Sequence, residues 1–166
     1  MKMGFERYRR IIKECHNVGV TDTIGGKQYY FRSKFEHRWA QYLELLKKND
    51  EIIDWEYEPD KFYFREESRG PWVYIPDFKI TDFDGSTYYQ ETKGYHDGTT
   101  NSKFQRMAKY YPDVVMELVL QRIPKKKPGK GINRRKAAER YVRRIIDASE
   151  IFKQIGLPYG LPEDCR

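Results

Sequence analysis

YIPDFKITDFDGSTYYQETKGY, residues 74–95, is the stretch whose reading decides the fold. Ile75, Phe78, Ile80, Tyr88 and Tyr89 are sheet formers, and Asp84-Gly85 between them is a strong turn pair. The two arms predict an antiparallel hairpin, WVYIPDFKI (72–80) joined through TDFDG to STYYQETKGY (86–95). Side chains alternate along a strand, so Glu91 and Lys93 share a face and Thr92 takes the other. In ordinary register the turn brings Asp77 back toward Glu91. Two readings of these charges are open. Glu-x-Lys on a strand is commonly an exposed ion pair, worth little. Alternatively, Asp77, Glu91, the Thr92 carbonyl and waters supply the hard oxygen ligands that Mg²⁺ prefers. Such a cation offsets the repulsion between neighbouring carboxylates. Lys93 would then orient or deprotonate a water, or neutralise charge building on a scissile phosphate.

The elements around the hairpin predict an α/β fold. In RSKFEHRWAQYLELLKKND (32–50), Ser33 and Glu36 have the capping-box spacing, and Phe35, Trp39, Tyr42, Leu43 and Leu46 form an apolar helical stripe. IIDWEYEPDKFYF (52–64) reads as strand material broken at Pro59. SKFQRMAKYYPD (102–113) is a helix ended by Pro112, and VVMELVL (114–120) is an apolar strand buried on both faces. A helix, antiparallel strands and a helical crossover into one more strand make a small α/β sandwich.

Three parts are expected. Residues 1–30 form an arm, with a short basic helix in FERYRRIIKEC (5–15) and a hairpin turning at Gly25-Gly26. Residues 31–121 form the core. Residues 122–166 form a basic extension, a Pro- and Gly-containing loop followed by one amphipathic helix, NRRKAAERYVRRIIDASEIFKQIG (133–156). From Arg122 to Arg144 there are eleven Lys or Arg against one acid, Glu139.

The chain carries a formal charge of +7 with pI near 9.3, which favours a polyanionic partner, most simply nucleic acid. Candidate phosphate contacts are Lys125, Lys126, Lys127, Lys130, Arg134 and Arg135, with Lys103, Arg106 and Lys109 on the crossover helix. His96, in a polar loop after Lys93, is a weaker one. The aromatic content of 16% excludes low-complexity disorder despite a mean hydropathy of −0.92. Cys15 and Cys165 lie near opposite ends in no metal-ligand spacing, against a zinc site or a disulfide framework. No apolar run approaches ~18 residues and no signal peptide opens the chain, so a soluble, cytoplasmic protein with no membrane partner is expected.

Pro76-Asp77, a hairpin turn and Glu91-Thr92-Lys93 together resemble the PD-(D/E)XK nuclease motif. The likeness extends to the phage endonuclease I family of junction-resolving enzymes. Its ordered signatures have counterparts in Arg32-Ser33…Glu36, Pro76-Asp77-Phe78, Glu91-Thr92-Lys93-Gly94 and the segment Lys103 to Pro112-Asp113. A small phage-encoded PD-(D/E)XK family is similar to the same degree. The resemblance covers about residues 27–120. It implies a restriction-endonuclease-like core, a mixed sheet flanked by helices, with Glu36, Asp77 and Glu91 as metal-binding acids and Lys93 as the catalytic lysine. It further implies Mg²⁺, with Mn²⁺ substituting, and DNA as substrate, branched (a four-way junction) or duplex. It points to a homodimer acting in the host cytoplasm if the source is a phage. Glu36 has a competing role as a plain capping residue, and both roles can hold at once. The basic region after residue 121 departs from the junction enzymes, and the first 26 residues fall outside the likeness.

Overall fold

The computed structural model describes residues 19–66, 70, 72–94, 98–123 and 135–156. The helix expected at 5–15, His96, the loop cations Lys125, Lys126, Lys127, Lys130 and Arg134, and both cysteines lie outside the described residues.

Strands β1 (Val20–Ile24) and β2 (Lys27–Phe31) pair in the expected hairpin. Its turn residues Gly25 and Gly26 take φ of 60° and 80°, the left-handed pair that a two-residue I′ turn demands. The hairpin is not a detached arm, since Ile24 and Phe31 are buried in the same core as helix α1 (Lys34–Lys48). Ser33 caps α1 by accepting from Glu36 N at 3.2 Å, as the capping-box spacing predicts.

The chain then builds a five-stranded mixed sheet in the order β3 (Asp54–Tyr57), β6 (Phe78–Thr81), β7 (Thr87–Lys93), β8 (Val115–Leu120), β9 (Ile145–Asp147). The β3–β6 and β6–β7 pairs are antiparallel, whereas β7–β8 and β8–β9 are parallel. The parallel step from β7 to β8 is made through helix α2 (Gly98–Tyr110), because parallel strands need a long crossover. The β6–β7 turn closes at Gly85, φ 78°, whose N–H donates to Asp82 O at 3.0 Å.

Each face of the sheet buries its own core. Trp39 and Leu43 of α1 meet Phe78, Ile80, Tyr88 and Val119 on one side. Phe104 and Met107 of α2 meet Tyr89, Met116, Leu118 and Leu120 on the other. The adjacent tyrosines 88 and 89 thus point to opposite layers, as strand alternation requires. Each fully buried large apolar side chain contributes roughly 1.5–3 kcal/mol.

Two expectations are corrected. WVYIPDFKI is not one strand: β5 (Val73–Tyr74) pairs with β4 (Phe62–Tyr63) in a separate small sheet, and β6 starts only at Phe78. Pro76, which has no N–H to give a ladder, lies in the break between β5 and β6. Residues 133–156 are not one amphipathic helix either. A helical turn at 135–138 leads to β9, which joins the core sheet beside β8, and then to helix α3 (Ala148–Gln154). The segment read as an extension therefore supplies the sheet's fifth strand. Ala138 and Val142 belong to the core on the α2 face, Ala148 and Phe152 to the core on the α1 face. No helix among the described residues is long and apolar enough to cross a membrane.

Candidate functional site

Where β7 ends, a pocket of about 450 Å³ opens between α1, α2 and the β5–β6 break. Its lining includes Glu36, Asp77, Glu91, Lys93 and Lys103, all singled out from the sequence, together with Arg32, Ser33 and Tyr74. Strand register explains the meeting of the acids. Phe78 is paired with Gln90, which sets Asp77, one residue earlier, against Glu91, one residue later.

Both carboxylates are buried, Asp77 at 3% and Glu91 at 1% relative exposure. Burying charge is costly unless it is paired, and each acid is met by a specific set of groups. Asp77 Oδ2 accepts from Thr92 N and Thr92 Oγ1, each at 2.7 Å. Its other oxygen, Oδ1, lies 3.3 Å from the Arg32 guanidinium. Glu91 Oε2 accepts from the buried Tyr74 hydroxyl at 2.8 Å. Glu91 Oε1 lies 2.7 Å from Lys93 Nζ and 3.6 Å from Lys103 Nζ. The Lys103 ammonium also sits 5.0 Å above the Tyr74 ring, which fixes it over the pocket.

These neighbours shift the site's protonation. Burial, reinforced by the Glu91 charge, pushes the Asp77 carboxyl up to about 7. Burial pulls Lys93 down, but the charges of Glu91 and Asp77 outweigh it and hold the ammonium above the ordinary lysine value. The Glu-x-Lys pair is therefore no exposed ion pair of the bland kind.

Glu36 is held differently. Its Oε2 accepts from the Tyr57 hydroxyl at 2.6 Å and from Arg32 N at 3.0 Å, and its Oε1 accepts from Ser33 Oγ at 3.0 Å. It lines the pocket while holding the hydroxyl of Ser33, the residue that caps α1. Thr92 enters through its N–H and hydroxyl, which restrain Asp77.

The basic residues divide. Lys103 reaches the pocket, whereas Arg106 lies over Phe64 at 5.8 Å and Lys109 over Tyr110 at 4.5 Å. Arg135 pairs with Glu139 at 3.9 Å within its own helical turn. Arg143 and Arg144, counted in the basic run, bind the fully buried Glu117 at 2.6 and 2.7 Å. Glu117 also accepts from Gln90 Nε2 at 2.9 Å, and Gln90 Oε1 accepts from Trp39 Nε1 at 2.8 Å. Those two arginines lock β9 to the sheet.

Sequence reasoning gave no role to Arg32, Tyr57, Glu58 or Tyr74. Arg32 bridges Glu58 and Asp77, and Glu58 N donates to Asp77 O at 2.9 Å. Burial raises the Glu58 carboxyl, Arg32 lowers it, and Glu36 and Glu91 raise it again. Beside the pocket, the β4–β5 sheet exposes Tyr63 at 46% and Val73 at 39%, with Trp72 next to them at 66%.

A family model described as "Protein of unknown function (DUF1064)" matches residues 21–127. The chain belongs to the DUF1064 family. The DUF1064 segment runs from β1 past β8 and contains Arg32, Glu36, Glu58, Asp77, Glu91, Lys93 and Lys103; β9 and α3 lie beyond it. Neither the curated proteins nor the solved structures give a match.

The donor set was tested against a divalent cation. Among the described residues no three His, Cys, Asp or Glu side chains gather into a metal cage. Magnesium does not need one, being held by one or two carboxylates with several waters retained. Asp77 Oδ1 and Glu91 Oε1, two hard oxygens on pocket-lining residues that among the described residues are met by side-chain cations, fit that chemistry.

Proposed function

We propose that the chain is a divalent-metal-dependent DNA endonuclease with a restriction-endonuclease-like core, hydrolysing phosphodiester bonds at this pocket. The observation that carries the reading is the pairing of buried Asp77 and Glu91 with Lys93 at the open end of β7. The resemblance to the PD-(D/E)XK motif and a net charge of +7 support it.

Asp77 and Glu91 would hold Mg²⁺ or Mn²⁺, with Glu36 assisting from the first turn of α1. When bound, the cation lowers the pKa of water and polarises the phosphoryl oxygen. The protein's own groups do the rest. Thr92 fixes the Asp77 carboxylate, and Tyr74 fixes that of Glu91. Lys93, 2.7 Å from Glu91 Oε1 in the pocket, is placed to neutralise charge developing on the scissile phosphate. Lys103, above Tyr74, offers a second positive charge to the incoming strand. Trp72, 66% exposed and next in sequence to the pocket-lining Val73, suits unpaired bases, which stack on aromatic faces.

The finer substrate reading is branched DNA, such as a four-way junction, cut by a homodimer, and it rests on the resemblance alone. Cleavage of nicked or intact duplex without junction preference is the second enzymatic reading. The test is a synthetic junction against a linear duplex of the same arms, each with Mg²⁺ and with a Lys93→Ala control. Metal-dependent cutting of the junction over the duplex supports both levels. Equal cutting of both removes the junction preference, and no cutting of either leaves a nucleic-acid-binding module.

A further inference from the structure

Arg32 ties together parts of the site that the sequence keeps apart. Its backbone N–H donates to Glu36 Oε2 at 3.0 Å, and its guanidinium spans Glu58 and Asp77. The two oxygens of Asp77 are unequal. Oδ2 is fixed within the fold by both Thr92 donors at 2.7 Å, whereas Oδ1 is met, among the described residues, by Arg32 at 3.3 Å. Glu91 is contacted by Lys93 and Lys103, whereas the cation in hydrogen-bond contact with Asp77 is Arg32.

Glu58 gives that cation a second seat. Its φ of 48° is left-handed, a conformation unfavourable for a non-glycine residue that persists only where surroundings enforce it. The enforcing contacts are the bond from Glu58 N to Asp77 O at 2.9 Å and the ion pair with Arg32. Glu58 therefore holds the guanidinium beside Asp77 without depending on the Asp77 carboxylate. The Arg32 side chain remains 58% exposed toward the pocket it lines.

We propose that Arg32 is an exchangeable counter-cation. It neutralises Asp77 Oδ1 until a divalent cation takes that oxygen, then remains on Glu58 and presents its released N–H groups to a phosphate of the bound nucleic acid. Two cations competing for one oxygen repel each other, which drives the exchange. A guanidinium can serve both partners because its five N–H donors are spread over a rigid plane, whereas an ammonium is a point charge. The inference rests on the reading of Asp77 and Glu91 as the metal-holding acids, and it adds a positioning residue and a phosphate contact to that reading.

The test measures Mn²⁺ binding to the full chain without DNA, by the electron spin resonance signal of free Mn²⁺, and DNA cleavage separately. Arg32→Ala and Arg32→Gln are expected to bind Mn²⁺ about tenfold more tightly, equivalent to ~1.4 kcal/mol, while KM for DNA rises. Arg32→Lys keeps Mn²⁺ affinity near that of the wild type and still raises KM. A structural lesion would not tighten metal binding. Lys109→Ala removes one positive charge outside the pocket lining and is expected to leave Mn²⁺ affinity unchanged. Mn²⁺ binding unchanged or weakened in both neutral variants overturns the exchange, as does an equal gain in Lys109→Ala. If the wild type binds no Mn²⁺, the metal reading fails with it; if the wild type binds and cuts, only the exchange is lost.

Discussion

Lys93 Nζ lies 2.7 Å from Glu91 Oε1, two residues apart on one strand and both inside the pocket. In the metal-free chain this contact favours the ammonium form, which sets a positive charge in the pocket. Lys93→Ala should lower the cleavage rate by about 10²–10³-fold, the usual cost of losing one preorganised donor to developing charge. Lys93→Arg, which keeps the charge with a different shape, should recover part of the loss. Single-turnover cleavage measures both, and an undiminished rate in Lys93→Ala would remove the residue from the mechanism.

The protonation of Asp77 has a stability consequence. Its carboxyl is raised from 3.8 to about 7 by burial and by Glu91. The folded chain therefore holds a proton that the unfolded chain has released between those values. Its contribution to stability is complete below pH ~4 and is lost as pH rises through about 7. In metal-free buffer Asp77→Asn should be more stable than the wild type at pH 8, by about 2–4 kcal/mol, and lose that advantage as the pH falls to ~4. Urea unfolding at the two pH values checks the sign. Equal wild-type stability at both would contradict it.

Glu117 predicts an asymmetry. The carboxylate is fully buried, while Arg143 and Arg144 keep 45% and 56% of their side chains exposed. Removing both arginines strands a buried charge and should cost about 3–5 kcal/mol. Glu117→Gln leaves two arginines that water can solvate and should cost less. Chemical denaturation of the two variants decides the order.

Trp72, at 66% exposure beside the pocket, should contribute to nucleic-acid binding and little to folding. Trp72→Ala is expected to weaken binding to DNA with unpaired bases by about 1–3 kcal/mol and to leave the thermal melt unchanged. Fluorescence anisotropy with gapped and fully paired duplexes makes the comparison. Equal losses on both would turn the residue into a general contact.

The α1 stripe, its Ser33–Glu36 cap, the Gly85 turn and the α2 crossover were legible because each is a local pattern of spacing and turn chemistry. β9 was not. Ala138, Val142, Ile145 and Ile146 also satisfy helical spacing, and only pairing with the distant β8 selects a strand. One local sign was there to be read: Asp147 and Glu150 have the cap spacing that starts α3, and Asp147 does cap it. In the site, Asp77, Glu91 and Lys93 meet through a single hairpin and α1 brings Glu36. Arg32 and Glu58 are 26 residues apart in the sequence, and no periodicity relates them.

The central claim is that phosphodiester cleavage depends on a divalent cation held by Asp77 and Glu91. The most direct measurement is the nicking rate of supercoiled plasmid across a Mg²⁺ titration, for the wild type and for Glu91→Gln. The account predicts no cutting without Mg²⁺, saturable cutting by the wild type, and a loss in Glu91→Gln that added Mg²⁺ restores poorly. Wild-type cutting in chelator, or equal cutting by Glu91→Gln, would contradict it.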